Sequence, residues 1–155
     1  MPKVSAGLLL YRVRGKELEF LLVHPGGPLW QAKDAGIWSI PKGELRPGED
    51  GLEAAKREFE EELGLKAQGV FVELAPITQK SGKIVHAWAF EGDCDPSQIR
   101  SNTYSMEWPP HSGRIGTFPE VDRAGFFNLE QAKIQIIPAQ AALLEELLRK
   151  LGRRR

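Results

Sequence analysis

Residues Gly43 to Leu65 read GELRPGEDGLEAAKREFEEELGL, and the second half of that stretch makes a helix with three faces. At about 100° per residue, with Glu58 at zero, Glu61 falls near roughly 300° and Glu62 near roughly 40°, so three carboxylates share a narrow wedge. Leu52, Ala55, Phe59 and Leu63 cluster between roughly 60° and 140°, the stripe that faces a core. Glu53, Lys56, Arg57 and Glu60 occupy roughly 160° to 260°, where Glu53 with Arg57 and Lys56 with Glu60 are spaced to neutralise one another. Like charges at these spacings repel by a few tenths of a kcal/mol per pair, and no basic residue interrupts the wedge. Its expected partner is a cation. Hard divalent ions take carboxylate oxygens, and magnesium binds through a few of them plus water and substrate phosphates. Ala54, near roughly 320°, is expected to leave room for the ion.

The flanks terminate the helix. Asp50 followed by Glu53 fits a capping box, and Gly64 is placed for a left-handed stop. Ahead of them, Pro41-Lys42-Gly43 and Pro47-Gly48 punctuate a loop that is expected to fold back over the helix, with glycine letting a backbone carbonyl approach a metal or a phosphate.

With these residues in place the stretch resembles the Nudix box, whose pattern is G, five residues, E, seven residues, then R-E-U-x-E-E-x-G-U, with U aliphatic or aromatic. Gly43, Glu49, Arg57, Glu58, Phe59, Glu61, Glu62, Gly64 and Leu65 each occupy a family position. The resemblance implies hydrolysis of a pyrophosphate link in a nucleoside diphosphate derivative, using magnesium or manganese. It implies Glu58, Glu61 and Glu62 as metal ligands, together with the carbonyl of Gly43 or Lys42. Arg57 is implied as the residue that orients its neighbours by pairing with Glu49. The WSIPKGELRPGED run further resembles diadenosine polyphosphate hydrolases and related enzymes, so a dinucleoside polyphosphate or a nucleoside triphosphate is the favoured substrate, with oxidised nucleoside triphosphates and nucleotide sugars also open. In similar proteins a functional acid lies in the loop that enters the last strand, which singles out Glu120, with Asp122 as the second choice; Glu58 and Glu61 are the alternative bases. A nucleotide-sensing module that keeps the pocket without turnover is the rival reading.

Composition is consistent with a small enzyme. The chain has 155 residues, 41% of them apolar, the size and make-up of a single domain spanning 1–155. Acidic and basic residues number 21 each, which argues against a partner that is a long nucleic acid. No apolar run approaches a membrane span and no signal-peptide pattern opens the chain, so a cytoplasmic address is expected, as a monomer or homodimer. Cys94 is the only cysteine, which excludes an internal disulfide and a cysteine-held zinc. Arg153, Arg154 and Arg155 read as a solvated tail.

Apolar runs predict strands at Val4 to Val13, Leu18 to His24, Gly36 to Ile40, Val70 to Thr78, Ile84 to Glu91 and Arg123 to Asn128. A turn at Leu129 to Lys133 and an amphipathic helix from Ala139 to Leu151 follow, with Pro138 in its first turn. Strands and helices interleave irregularly, which fits an α/β chain with a mixed sheet between helices, and the resemblance sharpens this to an α/β/α sandwich. Two loops are expected to shape a pocket. His24 to Gly36 is too long for a simple hairpin. Arg100 to Pro119 carries Asn102, Tyr104, Trp108, His111 and Arg114, of which Tyr104 and Arg114 are candidate substrate contacts, as is Lys42 beside the box glycine. His24 and His86 read as ordinary strand residues, and Trp38 as core or pocket wall.

Overall fold

The strand Val4–Arg14 (β1) is apolar almost throughout, the pattern of a strand covered on both faces, and it organises everything else. In the computed structural model, which describes residues 3–152, residues 4 to 11 of β1 pair in parallel with Ile84–Glu91 (β5). Its other edge is divided. Residues 11 to 14 pair antiparallel with Glu17–Pro25 (β2), while residues 5 to 7 pair antiparallel with the short strand Lys42–Glu44 (β3). Val72–Thr78 (β4) flanks β5 and Val121–Asn128 (β8) flanks β2, giving the order β4-β5-β1-β2-β8 with β3 beside β1. The sheet is mixed, as expected.

Period-two alternation on β1 and β2 sends side chains to two separate cores. Leu9, Tyr11, Phe20 and Leu22 pack with Ala132 of helix α2 (Leu129–Gln135) and with Leu143, Leu144, Leu147 and Leu148 of α3 (Ala141–Lys150). Ala6, Leu8, Leu10, Leu21 and Val23 pack with Ala54, Ala55, Phe59 and Leu63 of α1 (Gly51–Leu63). The result is the α/β/α sandwich. Asp50 caps α1 by accepting from the Glu53 amide at 3.2 Å, and Gly64 ends it at φ 71°.

Three expectations need correction. Gly36 to Ile40 is not a strand: Trp38 and Ser39 make only isolated bridges, and the Gly36 and Trp38 amides bond to the Ile134 and Gln135 carbonyls at the end of α2. The segment is held as a seam between layers and so is buried without a ladder. Arg100 to Pro119 is not a loop throughout, because Thr103–Glu107 (β6) and Ile115–Pro119 (β7) form an antiparallel hairpin in a sheet of their own. Leu129 to Lys133 is more than a turn; it opens α2, with a full capping box between Asn128 and Gln131. Arg153, Arg154 and Arg155 lie outside the described residues. Among the described residues no helix is long and apolar enough to cross a membrane.

The divided edge of β1 is what makes room for a site. With β2 and β3 sharing one edge, the chain between Ser39 and Lys42 runs through the fork, tied on one side by Val23 N to Ser39 O at 2.8 Å and on the other by Leu8 N to Pro41 O at 3.1 Å. A cleft of about 380 Å³ opens there, within the range of small-ligand pockets.

Candidate active site

Lys42, Glu62 and Glu120 line this cleft together with an apolar floor and wall that include Val23, Trp30, Ile37, Ile40, Val121 and Ile137. They come from β3, α1 and the turn between β7 and β8. Glu62 is partly exposed at the cleft but densely surrounded by protein. Burial first, and then the charge of Glu58, push its carboxyl up to about 8, although the Lys42 ammonium and backbone amide pull the other way. Burial raises Glu58 and Glu120 as well, with Glu61 adding repulsion to both. Lys42 is itself lowered by burial and by Lys83. Four carboxylates therefore share one field.

Two of the three wedge acids are paired, contrary to the helical-wheel expectation. Arg57 does not reach Glu53; it curls toward the β3 side, where Nη1 donates to Glu58 at 2.8 Å and to Glu61 at 2.9 Å. Its Nε and Nη2 grip Glu49 at 2.8 and 2.9 Å, and Nη2 also reaches the Glu44 carbonyl at 3.3 Å. This fork holds Glu49 down to about 2 and raises the guanidinium in turn. The loop from Glu44 to Glu49 is thereby folded back over α1, as the glycine and proline spacing suggests. Lys56 sits over the Phe71 ring at 4.7 Å instead of pairing with Glu60. Ala54 is not in the wedge either; it is fully buried in the core beneath α1.

Gly43 is packed against Glu58 so closely that a side chain there would run into the carboxyl group. The donor set around it is all oxygen, which suits a hard divalent cation. Among the described residues, however, no three acidic, imidazole or thiol groups stand close enough to enclose an ion in this arrangement. Arg57 accounts for that, since its Nη1 occupies the space between Glu58 and Glu61. The residues fit the group in chemistry and charge, with Arg57 as the internal counter-ion.

Glu120 has no hydrogen-bond partner for its carboxylate among the described residues, while its backbone is closely held. Its amide donates to Asn102 O at 2.8 Å and its carbonyl accepts from Gly26 at 3.0 Å; Asn102 in turn donates to Glu61 O at 2.8 Å. The root of the β6–β7 hairpin thus links Glu120 to the last turns of α1. Tyr104 donates to Gly26 O at 2.9 Å, so its hydroxyl is engaged in holding the loop base. Arg114 is exposed at the hairpin tip, away from the residues that line the cleft. Trp38 is core: it is 5% exposed and donates to Asp34 at 2.7 Å.

A family profile described as NUDIX domain matches residues 1–147, nearly the whole chain. The chain belongs to the Nudix family. A rat bis(5'-nucleosyl)-tetraphosphatase (asymmetrical) is 37% identical over 101 residues, covering 56% of this chain and 63% of that protein. An octanoyltransferase of Myxococcus xanthus is 28% identical over 116 residues, covering 74% of this chain and 28% of that protein. The chain thus spans less than two thirds of these curated relatives. A Caenorhabditis elegans Ap4A hydrolase, solved as a binary complex, superposes with a TM-score of 0.67 at 24% identity, covering 97% of this chain and 98% of that one. At that identity the likeness speaks for the fold.

Within this Nudix domain the Arg57 fork is open to test. A lysine at 57 keeps the charge but cannot grip Glu49 bidentately while reaching Glu58 and Glu61. For the hydrolase reading proposed below, Arg57→Lys is expected to lower kcat by roughly 10- to 100-fold, the usual cost of removing a residue that orients metal-binding groups. Steady-state kinetics beside a thermal melt check it, since a fold defect would show in both.

Proposed function

We propose that the protein is a divalent-metal-dependent pyrophosphohydrolase that cleaves a phosphoanhydride bond in a nucleoside polyphosphate derivative, with a dinucleoside polyphosphate or a nucleoside triphosphate favoured. The carrying observation is that Glu62 and Glu120 face one cleft with Lys42 while coupled to Glu58 and Glu61. That crowding of acids, which holds the Glu62 carboxyl up to about 8, gains a purpose if a cation is held there. Similarity to the rat tetraphosphatase supports the substrate preference.

In this reading Glu58, Glu61 and Glu62, with the Gly43 carbonyl, hold magnesium or manganese, which when bound neutralises phosphate charge and activates water. Lys42 meets a phosphate as a point charge of short reach. Glu120, raised by its burial and by Glu61, is suited to take a proton from water, a role for which Glu58 and Glu61 are the alternatives. Arg57 fixes the carboxylates. The apolar wall bearing Trp30 and Ile37 receives a base and excludes water. Tyr104 acts through the loop it holds, and Arg114 would contact only a substrate that extends beyond the cleft to the hairpin tip.

The test is product release from dinucleoside polyphosphates, nucleoside triphosphates, ADP-ribose and nucleotide sugars, with magnesium and with chelator. Turnover is expected with metal and at least 100-fold less with chelator, on the order of what loss of metal catalysis costs. Turnover indifferent to chelator would contradict the mechanism. No turnover anywhere, with nucleotide bound, would favour the sensing module.

A further inference from the structure

His24 ends the apolar part of β2, with its ring fully shielded from solvent. Both ring nitrogens face acceptors. Nε2 lies 2.6 Å from the Lys33 carbonyl, and Nδ1 lies 2.7 Å from an oxygen of Asp122, which reaches in from the surface. A carbonyl can only accept, so Nε2 carries a hydrogen; one further proton between Nδ1 and the carboxylate closes the second bond. A buried ring bonded at both ends is a strut.

What it spans gives it a role. Lys33 is in the middle of the loop that follows Gly26 and that supplies Trp30, Gly36 and Ile37 to the cleft. Asp122 lies two residues beyond Glu120, on β8 beside β2, and its neighbour Val121 lines the cleft. The loop's other attachments are at its two ends: Gly26 donates to Glu120 O at 3.0 Å and accepts from Tyr104 at 2.9 Å at its start, while Asp34 accepts from Trp38 at 2.7 Å and Gly36 donates to Ile134 O at 3.1 Å at its finish, which leaves Lys33 as the tie of its middle. The His24 ring also packs edge-on against Trp38 with centroids 5.3 Å apart. Of the nearby charges, Arg123 stands 3.8 Å from Asp122 and over Trp38, while the Lys33 ammonium turns away toward Trp30.

We propose that His24 is a positioning residue, a buried clasp that ties the Trp30-bearing wall of the cleft to the strand entrance carrying Glu120 and so sets the width available to substrate. Its kinetic consequence rests on the hydrolase reading; the clasp itself rests on geometry alone. Removing it lets the wall drift from the base it receives while the carboxylates on α1 stay in place. Binding suffers more than chemistry.

On the best-cleaved substrate of the panel, His24→Gln is expected to raise KM about tenfold and Asp122→Ala about threefold, with kcat within about threefold of wild type. The double variant is expected to match His24→Gln instead of multiplying the two effects, because both open one clasp. Asp122→Asn, whose amide can serve Nδ1, is expected to recover most of the KM. In the substrate-free protein, amide hydrogen exchange of residues 29–34 is expected to quicken at least threefold in Asp122→Ala, with β1 and β5 unchanged. Because Asp122 is partly exposed, that variant carries the test if His24→Gln does not fold. Unchanged KM and exchange in Asp122→Ala, or a loss of kcat and thermal stability at constant KM, would overturn the clasp. A wild-type protein without turnover would sink the hydrolase reading and leave the exchange measurement to judge His24.

Discussion

Replacing Glu62 by Gln is expected to cut turnover by roughly 10²- to 10⁴-fold while making the metal-free protein more stable at alkaline pH. The first effect follows from removing one charged group from the proposed metal site, which is asked to supply several kcal/mol of charge stabilisation, at tenfold per 1.36 kcal/mol. The second follows from burial. The Glu62 carboxyl is held up to about 8 in the folded chain, against an ordinary value of 4.5, chiefly by desolvation and then by Glu58. Between those two values the folded protein keeps a proton that the unfolded chain releases. Stability is therefore fully present below about 4.5 and is lost as pH rises through about 8. Glutamine resembles the protonated acid and never ionises, so the variant should lack that slope. In chelator, the wild-type melting temperature is expected to fall by several degrees between pH 5 and pH 8.5, at roughly 2–4 °C per kcal/mol for a chain of this size, and that of Glu62→Gln to change much less. Magnesium, which favours the charged form, should reduce the wild-type loss and affect the variant less. A variant that melts below wild type at pH 8.5 in chelator would mean that the buried charge is already compensated within the protein.

The parts of this molecule that could be read in advance are those whose determinants are local. Asp50, Glu53 and Gly64 announce the ends of α1 because a cap is settled within a few residues. β1, β2 and β5 announce themselves by continuous apolar runs. Arg57 misled the reading because a helical wheel fixes the direction of Cβ and not the reach of a long side chain; the guanidinium bends across the turn to Glu58 and Glu61. The seam from Gly36 to Ile40 is as apolar as a strand, yet it makes only a bridge to Val23 and otherwise bonds the carbonyls at the end of α2, more than ninety residues later, which no local pattern encodes. The hairpin did leave a signal. Tyr104 and Met106 alternate with polar residues in Thr103 to Glu107, but Ile115 to Pro119 does not alternate, and the intervening Trp108-Pro109-Pro110 and Ser112-Gly113 obscure the pairing. His24 gave no sign at all, since a buried histidine and its distant aspartate meet only through the β2–β8 pairing.

Replacing Gly43 by Ala separates the site from the fold more sharply than any charge substitution. Gly43 pairs with Ala6 across the β3–β1 ladder, and a methyl group there would be driven into the Glu58 carboxyl. That carboxyl is the free end of a flexible side chain, so the collision is relieved by swinging it aside, and the global cost should stay within about 1 kcal/mol. Once swung aside, the carboxyl gives up its 2.8 Å bond to Arg57 and its place beside the Gly43 backbone. Turnover is expected to fall by roughly 10²-fold or more, in line with small displacements of reacting groups, with a nearly unchanged melting temperature. Gly7 on the paired strand supplies the contrast. A methyl group there would meet Pro41 O at 2.6 Å and the Lys42 Cβ at 2.8 Å, and these belong to or adjoin backbone that the ladder holds in place. Gly7→Ala should therefore lose about 1–3 kcal/mol of stability as overpacking. If Gly43→Ala melts like Gly7→Ala, the contact with Glu58 is rigid and its role is structural; if it melts like wild type and still turns over at full rate, Glu58 does not need that position for the reaction.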